Sequence, residues 1–591
     1  MARQFPEGAR SRRRLDRMSD LKGTLELLSS ASLVRRVLTE SGAEFKFRHT
    51  LDRETAYRSM LRRDREKIHK VVGETLESHP ATQIEALAPV LAEHFSIGGD
   101  DRRAIKYFML AGDEAARVYA HEEALDYYQS ALTIGQENDV DRNTLCDLYL
   151  RQGRTLELSG EYPAAMETYQ ELEALGKRRG DVALELAALT RQATLLVAPS
   201  AVSDYEAGAA LANRLLDLAV DAGDKEAQAR AHWSLLLSRI YGGELQRGIV
   251  AGEKGLVLAK ELGLEELQAY ITNDLSGPYL MAGRLDRAWE LLEEAIEIWR
   301  RLDNLPMLVD SLGNMNSGLI FKGLYDEALE NSRQARQIAD RIDNRWAKAF
   351  SLFMIELIHA ERGDFDKAFA TCADQIYWGR QAGFRIPEVY SNASQAWNYA
   401  YLGDFDRAEA CLSEASAAAP RLGDMWTLLP SCIELLVNVK QHDVPDPETV
   451  SVFESLEPGA IAALTSSPVG PYWQLAICEN DLGQGRYQQA LERFSQAGAL
   501  ESESRIHVLA VDLFELLARI HRAMGDSQAA YEALDRGQAE AEFVNSRRML
   551  WVVHAERALW LEADGQPEIA ATERLKARPS FHYILNHVAD E

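Results

Sequence analysis

The feature that most constrains this chain is a series of glycines spaced 40 residues apart: Gly243, Gly283, Gly323, Gly363 and Gly403. A second series, Gly485, Gly525 and Gly565, has the same spacing, and Gly160 begins an earlier copy. Two residues after most of these glycines comes a large apolar group (Tyr162, Leu245, Leu285, Tyr325, Phe365, Phe405, Tyr487). Five residues after comes a small one (Ala165, Gly248, Ala288, Ala328, Ala368, Ala408, Ala490, Ala530, Ala570), and Gly99 with Ala104 repeats part of the pattern. The intervening segments carry apolar residues at helical spacing, as in Asp286–Arg301 with Trp289, Leu292, Ala295 and Trp299. Glycine permits the left-handed turn that ends one helix and reverses the chain. The large residue plugs the corner, and the small one lets two helix axes approach. Each unit is a helix hairpin that cannot bury its apolar face alone and must stack on its neighbours.

These units resemble tetratricopeptide repeats in a long, 40-residue form; "AGRLDRAWELLEEA", "KGLYDEALENSRQA", "RGDFDKAFATCA" and "LGDFDRAEACLSEA" carry the resemblance. It implies an all-α fold: a right-handed superhelical α-solenoid of about 11–12 hairpins of about 40 residues each. The solenoid is expected over residues 137–575, with linker helices or first short repeats over 73–136 and a C-terminal capping helix over 576–591. Two places break the rhythm. Near Ser200, "VAPSAVSDYEAG" replaces the glycine turn, and residues 441–472 hold Pro445, Pro447, Pro458, Pro468 and Pro471, expected as a long loop rather than a hinge.

Charge divides the chain. The net charge is −27, yet residues 1–72 carry 18 Lys/Arg against 10 Asp/Glu. An acidic body disfavours nucleic acid as its partner, because phosphates are repelled. Five scattered cysteines without a CxxC pair suggest neither a disulfide framework nor a zinc site, and fit a reducing cytoplasm. No run is long enough to span a membrane, and the Arg-rich start lacks the apolar stretch of a secretory signal.

The head reads differently. Residues 1–20 form a basic arm with Arg10, Arg12, Arg13, Arg14 and Arg17. Leu21–Val37 is helix-like, "LTESGAEFKFRH" alternates like a β-hairpin, and Thr50–Leu61 is again helical, so residues 21–72 suggest a small winged-helix-like remnant. The string "FKFRHTLDRETAYRSMLRRDREKIHKVVGETLE" resembles the end of the winged-helix domain in bacterial STAND-class signalling ATPases, with Arg48, His49, Glu54, Ala56, Tyr57, Leu61, Arg65 and His69 on that family's recurring positions. The resemblance extends to about residues 20–135. It implies a sensor and assembly arm attached, in cis or in trans, to an ATPase, cyclase or kinase module. The chain has no GxxxxGK[ST] phosphate loop, so no nucleotide-binding residues are carried over.

Nothing points to chemistry. The histidines form no HExxH or HxH pair, and no GxSxG or paired Cys/His nucleophile appears, so no catalytic, cofactor or metal residues are expected and the chain is read as a non-enzyme. The first helix of each repeat is unusually rich in amides and aromatics. Asn273, Tyr279, Asn314, Asn316, Asn392, Trp397, Asn398 and Trp473 are therefore the candidate concave binding surface, since asparagine is a poor helix former and such a mixture suits recognition. The expected partner is a protein or a small regulatory ligand on that face. Self-association is a further expectation, and nucleic acid is expected only at the basic head, where Arg58, Arg62, Arg63, Arg65, Lys67 and Lys70 cluster. A free-standing adaptor is the alternative reading.

Overall fold

The computed structural model describes residues 23–39, 42–78, 84–118, 120–138, 140–197, 202–422, 424–442, 469–497 and 506–588. The basic arm and most of the proline-rich stretch 441–472 lie outside them. The described residues are helical apart from one β-hairpin, and the chain divides into two compact units, residues 1–195 and 196–591.

The first unit opens with a helix over residues 23–30 and an antiparallel hairpin, β1 (Val34–Thr39) and β2 (Gly42–Phe47), with Val34 opposite Phe47. The hairpin begins inside the stretch expected to be helical: the helix has ended before Val34, and the branched side chains of Val34 and Val37 favour an extended backbone. Helices Thr50–Ser59 and Arg62–Glu77 follow, the second running across the expected boundary at residue 72. Beyond them Ile84–Ile97, Asp101–Arg117, His121–Glu137, Arg142–Ser159, Tyr162–Arg179 and Val182–Val197 stack as hairpins. Close approach is enforced by glycine. A Cβ on Gly112 would lie 2.5 Å from the Tyr128 ring, and one on Gly153 would lie 2.3 Å from Tyr169. Each tyrosine then turns its hydroxyl outward to a carboxylate, Tyr128 to Asp113 at 2.8 Å and Tyr169 to Glu157 at 2.6 Å.

The second unit is more regular than the glycines alone suggest. Residues 223, 243, 263, 283, 303, 323, 343, 363, 383 and 403 all have positive φ, so a left-handed residue recurs every 20 positions. One turn series closes each hairpin and consists of the glycines already noted. The interleaved series joins one hairpin to the next and includes Asp303 and Asp343, which carry a side chain in this conformation. The residue after each aspartate caps the next helix: Asn304 accepts from the Met307 N–H and Asn344 from the Ala347 N–H. The small residues five positions past the hairpin glycines, Ala288, Ala328, Ala368, Ala408, Ala490, Ala530 and Ala570, are all buried. The turn glycine missing near Ser200 is replaced, at the start of helix Tyr205–Ala222, by an Asp204 cap on the Ala207 N–H. The last helix, Pro567–Leu585, runs unbroken through the expected start of a separate cap at 576.

This unit also folds back on itself. One continuous apolar core runs from Ala269 to Val553, and its C-terminal hairpins seat against the turns of much earlier repeats. A Cβ on Gly323 would meet Phe543, His507 and Val544, and one on Gly363 would meet Ile584, whereas Gly243, Gly283, Gly403, Gly525 and Gly565 face open space. Polar bonds hold the return. Tyr583 donates to Asp364 at 2.7 Å, Tyr401 to the Arg548 carbonyl at 2.6 Å, and the Asp366 N–H to the His587 carbonyl at 2.9 Å. At the centre lies Arg548, only 1% exposed, its guanidinium bonded to both Asp512 oxygens at 2.8 and 2.5 Å and to Glu361 at 2.5 Å. Ser546 donates to the other Glu361 oxygen.

Candidate functional site

Three successive hairpins of the second unit bring one polar constellation together. It lies on the first helices Lys225–Tyr241, Glu265–Met281 and Leu305–Phe321. Its organiser is Asn273, 2% exposed. The amide nitrogen donates to Asp310 at 2.6 Å and Asp274 at 3.1 Å, while the amide oxygen accepts from Ser311 at 2.7 Å and Asn314 at 3.2 Å. The Trp233 indole N–H donates to the second Asp274 oxygen at 2.7 Å. One buried amide thus fixes the orientation of two carboxyls that project from neighbouring repeats.

Aromatic rings border these carboxyls. Trp233 stacks on Tyr270 with centroids 5.2 Å apart, and Tyr241 stacks on Tyr205 at 5.1 Å. Tyr241 is 50% exposed, yet burial of its phenol within the surrounding protein, followed by the charges of Asp274 and Asp310, pushes its ionisation up. Both carboxyls are half-buried. Burial raises Asp274 to about 6, against the lowering effect of the Trp233 and Asn273 hydrogen bonds. Burial, then repulsion from Asp274, raises Asp310 to about 7. Among the described residues no arginine, lysine or histidine acts on either group. Around neutral pH the pair is poised between protonated and charged, and any cation that entered would be drawn in.

Of the eight residues singled out from the sequence, this constellation gathers Asn273 and Asn314. The other six sit in packing between helices rather than on an open surface. Tyr279 is buried, donates to Glu253 at 2.7 Å and carries Arg284 over its ring. Asn316 is buried and accepts from Asn331 at 2.7 Å. Asn392 turns back onto its own helix, donating to the Glu388 carbonyl at 2.6 Å. Trp397, Asn398 and Trp473 are buried in the helix stack, Trp397 beneath the Lys440 ammonium. Tyr279, Asn316 and Asn392 are held by partners in their own or adjacent helices, and Trp397 and Trp473 belong to the continuous apolar core. Sequence reasoning missed Trp233, Tyr241, Asp274 and Asp310. Their signal was a pair of acids 36 residues apart, one helical turn short of the 40-residue period, on helices otherwise chosen for their amides.

Among the described residues no group of three or more His, Cys, Asp or Glu side chains is placed to hold a metal, the five cysteines are unpaired, and no helix is long and apolar enough to cross a membrane. No family model matches the chain. It is 27% identical over 124 residues to an uncharacterized protein of Rhizobium meliloti (strain 1021), a match that covers 21% of this chain and 12% of that relative's length. Among solved structures, a Rap protein complexed with competence and sporulation factor superposes with a TM-score of 0.42 at 10% identity, covering 75% of this chain and 98% of that one. A STAND protein with a tetratricopeptide repeat sensor from Pyrococcus horikoshii gives 0.36 at 14% identity, over 61% and 59% of the two chains. Human IFIT1 gives 0.36 at 15% identity, over 81% and 94%. The hairpin stacking, the recurrent left-handed turns and the buried small residues define this chain as an all-α, tetratricopeptide-type helical-repeat protein.

Proposed function

We propose that the chain is a regulatory binding solenoid, and specifically the sensor and assembly arm of a STAND-type signal-transduction ATPase. Its repeats bind a protein or ligand, and its head couples that event to a nucleotide-driven switch. The observation that carries this reading is the state of the head. Over residues 23–37 and 44–61 only Val34 is buried, and helix Thr50–Ser59 buries nothing. Leu27, Leu51 and Leu61 are 71, 74 and 73% exposed. A module that served merely to cap the first repeat would bury its apolar residues against that repeat. Uncovered leucines in a segment that also carries Arg53, Arg58 and Arg62 instead suit docking on a further module. Only the next helix is tied firmly to the repeats, through Arg103, which donates to Glu74 at 3.0 Å and Glu77 at 3.1 Å, and through Tyr107, which donates to Glu77.

The test is direct binding between the purified chain and a purified STAND-type ATPase encoded in the same reading frame or beside it. The switch-arm reading expects nucleotide-dependent association that is lost on deleting residues 1–72 and on L51E/L61E. Association indifferent to both changes would instead identify a free-standing adaptor. Duplex DNA binding that weakens steeply with salt would favour the basic head as a nucleic-acid contact.

A further inference from the structure

We infer that the constellation on helices 225–241, 265–281 and 305–321 is a recognition site for a guanidinium group, the arginine side chain of a peptide. The inference rests on the reading of the solenoid as a binding surface and names what one part of that surface takes.

Four observations converge. Asp274 and Asp310 are oriented by a buried asparagine that spends every hydrogen bond it has on this cluster. Such a scaffold holds a site in register before its ligand arrives. Neither carboxyl has a cationic neighbour, although the other deeply placed acids of this unit are matched: Glu361 and Asp512 by Arg548, Glu515 by Arg519, Glu573 by His554 and Arg557, Asp481 by Arg486. Glu356 is the exception, fully buried and carried as the neutral acid. The third observation is a second aromatic surface on the helix that carries Trp233. The ring of Tyr241 is flat, half-exposed and backed by Tyr205, the charges of both carboxyls add to the burial that raises its phenol, and that hydroxyl has no hydrogen-bond partner among the described residues. Fourth, Trp233 both stacks on Tyr270 and hydrogen-bonds Asp274, so an aromatic wall and a carboxylate form one rigid piece.

A planar cation suits this arrangement better than a compact one. A guanidinium stacks on an aromatic face while directing its N–H donors in the plane toward carboxylates, whereas an ammonium is a strongly hydrated point charge. Burying a cation here would favour the ionised form of both acids, and its attraction to them would offset their mutual repulsion. The pair thus waits in a state that binding relieves.

Calorimetric titration of the full chain at low salt and neutral pH provides the test, with the blocked tripeptide acetyl-Ala-Arg-Ala-amide, its Leu counterpart and putrescine as probes. The arginine peptide is expected to bind with a Kd below about 1 mM, the leucine peptide not at all and putrescine at least several-fold more weakly. D274N/D310N should weaken the arginine peptide by about tenfold or more, and Y241A by several-fold. Both variants must keep the wild-type helical signal and cooperative melting; D274N/D310N removes only unmatched acids, so it should fold. Absent binding, equal binding of the leucine peptide, tighter binding of putrescine or an unchanged affinity in D274N/D310N would each overturn the proposal. Binding of the ATPase without binding of the peptide would remove this inference alone. Peptide binding without ATPase association would remove the switch-arm reading and leave this site standing.

Discussion

The second unit contains two clusters of acids that folding has taken out of free water, and they are resolved in opposite ways. At the closure, Glu361 and Asp512 share the guanidinium of Arg548, with Ser546 filling a remaining acceptor site and Tyr401 lying beneath the arginine. On the first helices of successive hairpins, Asp274 and Asp310 have hydrogen bonds from neutral donors and, among the described residues, no cation. The closed cluster ties segments nearly 190 residues apart in sequence, the separation of Arg548 and Glu361 being 187. The open one joins adjacent repeats only. A compensated buried network fixes which parts of a chain meet, since leaving any member unmatched is costly. An uncompensated one lowers stability locally and pre-arranges a charge that only a ligand satisfies. The difference separates an architectural device from a recognition device built from the same residue types.

Breaking the closed cluster should have the largest effect. R548M strands two buried carboxyls and is expected to destabilise the second unit by about 3–5 kcal/mol, read as a lower urea midpoint together with protease cleavage among the C-terminal repeats. Removing all three charges at once, with R548M/E361Q/D512N, should recover much of that loss, because neutral partners leave no orphaned charge. Glu356 sharpens the contrast. Burial raises it to about 8, so the folded protein keeps a proton that the unfolded chain releases above about pH 4.5, and E356Q, neutral in both states, should already be the more stable protein at neutral pH. Its advantage should grow as pH rises from about 5 to 8 and level off above that. The smallest expected effect lies in the turns. D303G relieves a left-handed backbone that bears a side chain and should stabilise by a few tenths of a kcal/mol, offset in part by the freedom glycine gains when unfolded, whereas G243A in an open turn should cost about 1 kcal/mol.

One series of turns was legible in the sequence because every member from 243 to 403 is glycine, whereas the interleaved series, with Gly223, Gly263 and Gly383, is broken by two aspartates. The interleaved turns at Asp303 and Asp343 adopt the same backbone without it, and only the Asn cap that follows each one, at 304 and 344, betrays them. The β-hairpin was legible from alternation, although its start at Val34 lay inside an apparently helical stretch. The buried alanines followed from spacing, since a position five residues past each turn always faces the partner helix. The fold-back was not legible. Local periodicity specifies hairpins and their stacking, but the contact of Tyr583 with Asp364 spans 219 residues and depends on the accumulated curvature of every repeat between them. Burial between stacked helices was not legible either: Asn316, Asn398 and Trp473 carry the composition of a recognition surface and lie inside the stack. Asn273 was found for its amide, while the two carboxyls that it holds passed as ordinary acidic residues on helix faces.

The account turns on whether Asp274 and Asp310 lack a countercharge in the folded protein. Their ionisation is raised by folding, so the native state retains protons that the unfolded chain releases. The stability linked to them is fully present below the unfolded carboxylate range near pH 4 and is lost as pH rises through about 6 and 7. The decisive measurement is the difference in urea unfolding free energy between the wild type and D274N/D310N across that range. The double variant, which cannot ionise at these positions, should gain on the wild type by about 1 kcal/mol between pH 5.5 and pH 8, after allowance for partial solvent screening. A difference that stays flat with pH, or a wild type that gains on the variant as pH rises, would show that the carboxyls are already matched and would contradict the account.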